Sequence, residues 1–168
     1  MDGPMSEERF PNEQSGEGEG AEEPPLSSPE TPHLILNPAW LAPAIGYAHA
    51  VVPAAGHMVF LSGQAGHRPD GTLAGESLLE QFDQACGNVV EALAAAGGQP
   101  EDIVSMQVFV TDATEYRSSL GEIGAAYRRH FGPHYPAMAM LEVNGLFDPR
   151  ARVELMCVAV VPESPPLE

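Results

Sequence analysis

The feature that most constrains the fold is a pair of apolar runs at residues 137–143 and 152–161, joined by a short segment that reads NGLFDP. Both runs have the length and composition of β-strands, and the segment between them supplies turn residues. The second run is apolar except for Arg152 and Glu154. Burying a carboxylate without a partner is costly, so Glu154 is expected to have a specific role.

Size and charge limit the classes of function. The chain has 168 residues, of which 43% are apolar, and this is enough for one domain with a hydrophobic core. Its net charge is -17, and all seven basic residues are arginine. Such an acidic chain is not expected to bind nucleic acid or an anionic membrane surface through its charge. The absence of lysine argues against Schiff-base chemistry.

The sequence predicts a cytoplasmic protein. No apolar run approaches the roughly 20 residues that cross a bilayer, and the acidic N-terminus lacks an apolar signal region. Cys86 and Cys157 fall in apolar segments, so we expect reduced core residues rather than a disulfide.

The first 32 residues differ in composition from the rest. They contain nine acids against the single base Arg9, and they are rich in glycine, proline and serine. Such a segment cannot bury enough apolar surface to offset the entropy lost on ordering. We therefore predict a disordered acidic tail at residues 1–32, which is solubilising or binds a partner. A folded domain follows at residues 33–162, and a C-terminal tail at residues 163–168.

Hydrophobic periodicity predicts the order βββαβαββ within the domain. Strands are expected at residues 33–37, 47–54, 58–64, 103–111, 137–143 and 152–161. The tight turn Ala55-Gly56-His57 predicts that the second and third strands form an antiparallel hairpin. This order indicates an α+β fold, with a mixed sheet and two helices on one of its faces.

The two helices have recognisable ends. Ser77 and Glu80 predict a capping box for the first helix, which Gly97-Gly98 ends. Asp112 or Thr114 caps the second helix, which Gly132-Pro133 ends. The apolar face of the first helix is predicted to hold Leu78, Phe82, Ala85, Val89, Leu93 and Ala96. The face of the second is predicted to hold Tyr116, Leu120, Ile123, Tyr127 and Phe131.

Several chemistries are disfavoured by residue spacing. The six histidines show no HxH or HExxH pattern, and a helix break separates His130 from His134. Ser62 lacks the G-x-S-x-G context of a serine hydrolase. The chain also has no P-loop and no GxGxxG motif. We therefore expect no metal site, no serine hydrolase and no nucleotide-binding loop of either kind.

Five segments in order resemble the RidA superfamily, also called the YjgF type. They read GYAHAV, FLSGQAG, QFDQACGNVVEALAAAG, VFVTD and RVELMCVAV, and the resemblance covers residues 37–161. It implies a chorismate-mutase-like α+β fold and a homotrimer with ligand sites in the clefts between subunits. It also implies hydrolysis of reactive imines and enamines, such as 2-iminopropanoate and 2-iminobutanoate, to the keto acid and ammonia, without a cofactor.

The same resemblance implies roles for single residues. Tyr47 corresponds to a tyrosine that lines the cleft, and Gly63 to a glycine whose backbone faces the ligand. Glu154 corresponds to the acid that holds or activates the water. Met138 stands at the position of the signature arginine of the deaminases, and Met140 stands where a cysteine is frequent. An asparagine of the second helix, which contributes in many members, falls on Gly124.

The absence of the arginine changes the expected ligand. A guanidinium binds a carboxylate through charge-assisted hydrogen bonds that contribute about 1.5–3 kcal/mol, and a thioether cannot replace them. Met138 therefore predicts poor activity on small 2-imino acids and favours a ligand that is neutral, larger or less polar at that end. Arg150 and Arg152 are alternative cations for the substrate, because both are close to Glu154 in sequence.

Each candidate also has a structural interpretation. Glu154 could be the ion-pair partner of Arg152 or of an arginine across the trimer, Tyr47 could pack an interface, and Gly63 could accommodate a bulge. Of the alternating methionines and alanines at residues 137–140, one set would fill the core and the other would face the cleft. Two functions stay open: a cofactor-free hydrolase with Glu154 as general base, and a non-catalytic trimer that binds a metabolite or a regulatory partner.

Overall fold

The computed structural model of the protein describes residues 31–163, which form an α+β fold. The strands are β1 (Leu34–Leu36), β2 (Ala50–Val52), β3 (Gly56–Ala65), β4 (Ile103–Val110), β5 (Ala137–Glu142) and β6 (Val153–Pro162). The helices are α1 (Leu78–Ala95), α2 (Ala113–Ser118) and α3 (Leu120–Phe131), and a 3₁₀ turn spans Pro100–Asp102. Within the described range, no helix is both long enough and apolar enough to cross a bilayer.

The predicted acidic tail lies almost wholly outside the described residues, as do residues 164–168. Its last two predicted positions, residues 31 and 32, are described. The hydroxyl of Thr31 donates a hydrogen bond to the carbonyl oxygen of Glu101 at 2.8 Å, and Thr31 is buried. A contact with the domain is therefore already present two residues before the predicted boundary.

The main sheet is mixed and has four strands in the order β3-β6-β4-β5. Strand β6 pairs antiparallel with both β3 and β4, and β4 pairs parallel with β5. The connection between the parallel strands is made by α2 and α3. Strands β3 and β5 therefore form the two edges of this sheet.

The hydrophobic core lies between one face of the sheet and the helices. Alternate strand residues such as Leu61, Met106 and Leu155 are buried on this face. They share one hydrophobic cluster with Phe82 of α1 and Ile123 of α3. The predicted arrangement, an α+β fold with a mixed sheet and helices on one face, is confirmed.

The predicted hairpin of residues 47–54 and 58–64 is wrong. Strand β2 pairs with β1 in a separate two-stranded sheet, and β3 pairs with β6. Pro53 has no N–H to donate, and β2 ends just before it. Strand β3 instead extends over ten residues beside β6, which gives it a longer partner than β2 offers.

The first helix forms as predicted. The side chain of Ser77 accepts a hydrogen bond from the backbone N–H of Glu80, and the Glu80 carboxylate accepts one from the Ser77 N–H at 3.1 Å. The predicted apolar face is buried except at Ala96, which follows the last helical residue and is exposed.

The predicted second helix is divided into two. Asp112 caps α2 by accepting two backbone N–H groups of its first turn, and Ser119 separates α2 from α3. Serine side chains compete for backbone hydrogen bonds, so Ser118 and Ser119 weaken the helix at this point. Leu120, predicted on the buried face, is 55% exposed.

The second face of the sheet carries exposed apolar side chains. Phe60 is 73% exposed, Met58 60%, Leu141 42% and Met156 41%. Met58 and Phe60 belong to the edge strand β3, Met156 to its neighbour β6, and Leu141 to the opposite edge strand β5. Exposed apolar surface of this kind usually marks a contact with another molecule.

Both cysteines are free and buried, as predicted. Burial raises the pKa of the Cys157 thiol to about 12 and also raises the pKa of Cys86. At neutral pH both thiols are therefore protonated, and they act as small apolar core residues.

A β-bulge places Gly63 against Glu154. Leu61 pairs with Cys157 and Gln64 with Leu155, so β3 carries one residue more than β6 in this interval. The Glu154 carboxylate occupies the space that a side chain at Gly63 would need. A glycine at this position is therefore a requirement of the observed Glu154 conformation.

We expect Gly63→Ala to lower the free energy of unfolding by about 1 kcal/mol, because Glu154 must leave its preferred rotamer. In the Glu154→Ala background the same change should cost close to nothing, and the double-mutant cycle is measured by urea unfolding. Gly145→Ala is the matched control, since an added Cβ there meets no atom within 4 Å. An equal cost in both backgrounds would contradict the packing of Gly63 on Glu154.

Stability should fall as the pH drops below about 6.5, because burial lowers the pKa of His134. The unfolded chain then binds a proton that the folded chain does not, at a cost of up to about 1.4 kcal/mol per pH unit. His134 donates from Nε2 to the carbonyl oxygen of Ile103 at 2.7 Å. His134→Gln should flatten the dependence measured between pH 7.5 and 5.5, and the exposed His57→Gln should not; equal slopes would contradict this assignment.

Candidate functional site

The first of two candidate half-sites surrounds Glu154. We call it the Glu154 cleft; it has a volume of about 690 Å³ and is lined by Gly63, His67, Asp148, Arg150 and Glu154, among others. The bulge of β3 brings Gly63 to it, and β6 brings Glu154. The predicted pair Gly63 and Glu154 is therefore brought together by the fold.

The Glu154 carboxylate is half-buried and has no hydrogen-bond or ion-pair partner among residues 31–163. Glu154 lies on the sheet face opposite the helices, and its pairing partners on the neighbouring strands are Phe109 of β4 and Ala65 of β3. A carboxylate held in this way retains its full capacity to accept hydrogen bonds. It can therefore orient a water molecule or a ligand N–H.

The positive charge in this cleft is already compensated. The Arg150 guanidinium contacts Asp148 at 3.1 Å, and Nε2 of His67 lies 3.1 Å from the same carboxylate. Hydrogen bonds from Arg150, and then from His67, hold the pKa of Asp148 well below its usual range. Arg150 thus lines the predicted cleft, but its guanidinium is paired with Asp148 and not with Glu154.

Arg152 does not reach Glu154. Its guanidinium pairs with the Glu115 carboxylate, and Glu115 also accepts the Leu78 N–H at the start of α1. Arg152 lines a different cavity, which it shares with Gln81. The pairing of Arg152 with Glu154, one of the structural interpretations, is therefore not observed. The predicted role of Arg152 in substrate binding would require it to leave Glu115.

The second half-site contains the other predicted residues. We call it the methionine cavity; it has a volume of about 460 Å³, and Tyr47, Met138 and Met140 line it. Tyr47 reaches it because Ala48 forms a bridge with Ala137, and the Ala48 N–H donates to the Pro136 carbonyl oxygen at 2.9 Å.

The two methionines face the helices, where they pack against the core and line the cavity. Helix α3 forms the opposite wall with Ile123, Gly124 and Arg128. Arg128 was missed by sequence reasoning. The available signal was its spacing of four residues from Gly124, which places both on one side of the helix.

The methionine cavity is mainly apolar and aromatic. Tyr116, Tyr127 and Tyr135 line it together with Tyr47. The rings of Tyr127 and Tyr135 stack at 5.0 Å, and the Tyr127 hydroxyl donates to the His134 carbonyl oxygen at 2.8 Å. Burial raises the pKa of both Tyr116 and Tyr127, so their phenols are neutral. The cavity suits an apolar group of substantial size.

The two half-sites do not meet within one chain. The methionine cavity lies beside the edge strand β5, and the Glu154 cleft lies beside the opposite edge strand β3. Three strand spacings separate these edges, or about 14 Å. Glu154 also points to the sheet face opposite the helices. Among residues 31–163, no group of three or more His, Cys, Asp or Glu side chains forms an arrangement that could hold a metal ion.

Comparison with known proteins identifies the family. The family model described as Endoribonuclease L-PSP matches residues 38–161. Human 2-iminobutanoate/2-iminopropanoate deaminase is 30% identical over 129 residues, which cover 75% of this chain and 88% of the human protein. The family match spans the strands and helices that carry the two half-sites.

Solved structures show the same fold. The Yersinia pestis protein YyfB, of the conserved Rid family, superimposes with a TM-score of 0.71 at 26% identity, over 77% of this chain and 98% of that one. RidA from a Psychrobacter species superimposes with a TM-score of 0.55 at 28% identity, over 71% of this chain and 92% of that one. Sequence and structure thus agree that the chain belongs to the Endoribonuclease L-PSP family, in the RidA (YjgF) superfamily.

Proposed function

We propose that this protein hydrolyses a reactive imine or enamine to a carbonyl compound and ammonia, at a site completed between two copies of the chain. The observation that carries the proposal is the half-buried Glu154 carboxylate, which has no partner among the described residues of its own chain and lies against Gly63. The relationship to the human deaminase supports the reaction class.

The chemistry requires little beyond a positioned water molecule. Glu154 accepts a proton from the water, whose oxygen attacks the imine carbon and forms a carbinolamine. The nitrogen is then protonated, the C–N bond breaks, and ammonia leaves as the C=O bond forms. Backbone groups near Gly63 orient the substrate. No electron is transferred, and no cofactor is required for the balance of atoms.

The lining of the methionine cavity supports a substrate larger than a three- or four-carbon imino acid. Met138 offers no charge-assisted hydrogen bond to a carboxylate, and its thioether adds apolar surface. The cavity volume of about 460 Å³ lies within the range of sites for drug-sized ligands. Small 2-imino acids would leave most of this surface without contact.

A homotrimer would complete the site. A head-to-tail contact brings the β5 edge of one chain to the β3 edge of the next, and a ring closes when this contact repeats. The methionine cavity of one chain would then face the Glu154 cleft of its neighbour. Phe60 and Met58, on the exposed face of the sheet, would be buried in the same contact.

The name of the family model refers to ribonuclease activity, but the charge of this chain favours hydrolysis of a small molecule. A net charge of -17 repels a polyanion, and phosphate contacts dominate the affinity of most nucleic-acid-binding proteins. Two buried free thiols accord with a reducing compartment such as the cytoplasm.

Glu154→Gln should lower the rate of imine hydrolysis at least about 100-fold, because the amide cannot accept the proton of the water. The imine is generated in place from phenylalanine or leucine by an amino-acid oxidase, and its decay is followed with and without the protein. Glu91→Gln, on the exposed side of α1, is the matched control. Equal rates for wild type and Glu154→Gln would remove Glu154 from the reaction, and an inert wild type would favour a non-catalytic binding protein.

Phe60→Glu should convert the trimer to monomers, because it places a charge in the proposed contact without disturbing the core of the single chain. Light scattering coupled to size exclusion measures the mass, which we expect to be three times 17.8 kDa for the wild type. Ala94→Glu, exposed on α1 on the opposite side of the domain, should remain trimeric. A wild-type monomer at micromolar concentration would contradict the two-chain site.

A further inference from the structure

The methionine cavity has a single charged lining residue, Arg128 of α3. The other lining side chains are aromatic, aliphatic or methionine. Strand β5 presents Met138 at the position where the family resemblance places an arginine. A cation for a ligand bound in this cavity is therefore available from the helix wall and not from the strand wall.

Gly124 provides the space for Arg128. It lies one helical turn earlier on the same side of α3. A Cβ atom at Gly124 would lie 3.2 Å from Nη1 of Arg128, so the guanidinium rests close to the backbone of this turn. The asparagine that the family resemblance implies at this position would crowd the guanidinium. The two departures at Gly124 and Met138 are thus complementary.

Arg128 has no ion-pair partner among residues 31–163 of its chain. Its neighbours Arg129 and His130 both contact Asp83, at 2.7 and 2.8 Å. The phenol of Tyr127 is neutral, because burial raises its pKa, so it does not compete for the guanidinium as an anion. The positive charge of Arg128 is therefore available to a ligand.

The two arginines that the sequence suggested as alternative cations already have carboxylate partners. Arg150 and Arg152 are held by Asp148 and Glu115. Arg117 of α2 does not line the methionine cavity. Of the arginines that line either half-site, Arg128 alone lacks a carboxylate partner within the described chain.

We propose that Arg128 binds the carboxylate of a 2-imino acid, or of its 2-oxo acid product, whose aromatic or branched aliphatic side chain fills the methionine cavity. This inference deepens the proposed function and rests on it for the reaction, although binding of the product requires no catalysis. Placing the cation on α3 leaves the part of β5 that lines the cavity apolar, and it explains how a cavity with Met138 can accept a carboxylate with a bulky apolar substituent.

Binding of phenylpyruvate to the full chain, measured by titration calorimetry, tests the proposal. Arg128→Met should raise the Kd about 10- to 100-fold, because a charge-assisted hydrogen-bonded pair is lost. Arg117→Met is the matched control and should leave the Kd unchanged. The neutral ketone phenylacetone lacks the carboxylate, so its affinity should be the same for wild type and Arg128→Met.

A rescue variant excludes a merely structural effect of Arg128. Arg128→Met combined with Met138→Arg returns a guanidinium to the cavity from the strand wall. We expect it to recover most of the affinity for phenylpyruvate. Arg128→Lys should lie between wild type and Arg128→Met, because an ammonium supplies the charge without the two-pronged geometry.

The outcomes separate this proposal from the hydrolase. Suppose that Arg128→Met loses phenylpyruvate binding while the wild type is inert in the imine assay. This result would support carboxylate binding by Arg128 and would contradict the proposed hydrolysis. Unchanged phenylpyruvate binding in Arg128→Met would overturn the role of Arg128, whatever the imine assay shows, and would leave it as a solvated residue near a helix end. Absence of phenylpyruvate binding by the wild type would also overturn it.

Discussion

All three helices cover the same face of the four-stranded sheet, and this one-sided packing determines how the rest of the molecule is arranged. The covered face holds the core. The other face leaves Phe60 and Met58 in solvent, together with the half-buried Glu154. Removing this apolar surface from water would favour association by roughly 25 cal/mol per Å² of apolar surface buried.

The same packing divides the candidate site between two edges of the sheet. Helix α3 forms the wall of the methionine cavity beside β5. The bulge of β3 brings Gly63 against Glu154 of β6 near the opposite edge. One chain therefore offers an apolar cavity without an acid and an acid without an apolar cavity. In the proposed trimer, assembly and site formation are a single event, because the contact that covers the open sheet face also joins the two halves.

Charge is distributed between the halves in a consistent way. The Glu154 cleft is close to neutral apart from Glu154, since Arg150 compensates Asp148. The methionine cavity contributes Arg128 as its single charged lining residue. Joining the two would place an anion-binding group and a proton-accepting group on opposite sides of one ligand. This is the arrangement that hydrolysis of an imino acid requires.

Local signals in the sequence predicted the local structure well. The capping box at Ser77, the strand that contains Glu154 and the one-sided helical core all followed from spacing and turn chemistry. The resemblance to the RidA superfamily predicted the fold and assigned Gly63 and Glu154 to one site. Strand partners did not follow in the same way, because the turn at Gly56 suited a hairpin equally well and the partner of β3 lies some ninety residues later. Arg128 was missed because its role depends on packing between α3 and β5.

The most direct test of a site shared between chains is complementation between two inactive variants. Glu154→Ala removes the acid, and Gly124→Trp fills the methionine cavity. After unfolding and refolding of an equal mixture, about a quarter of the sites should combine an intact cavity with an intact Glu154 from the neighbouring chain, because each site draws on two chains of a cyclic trimer. The account predicts that the mixture recovers about a quarter of the wild-type rate of imine hydrolysis. A mixture as inactive as its two parents, beside an active wild type, would contradict it.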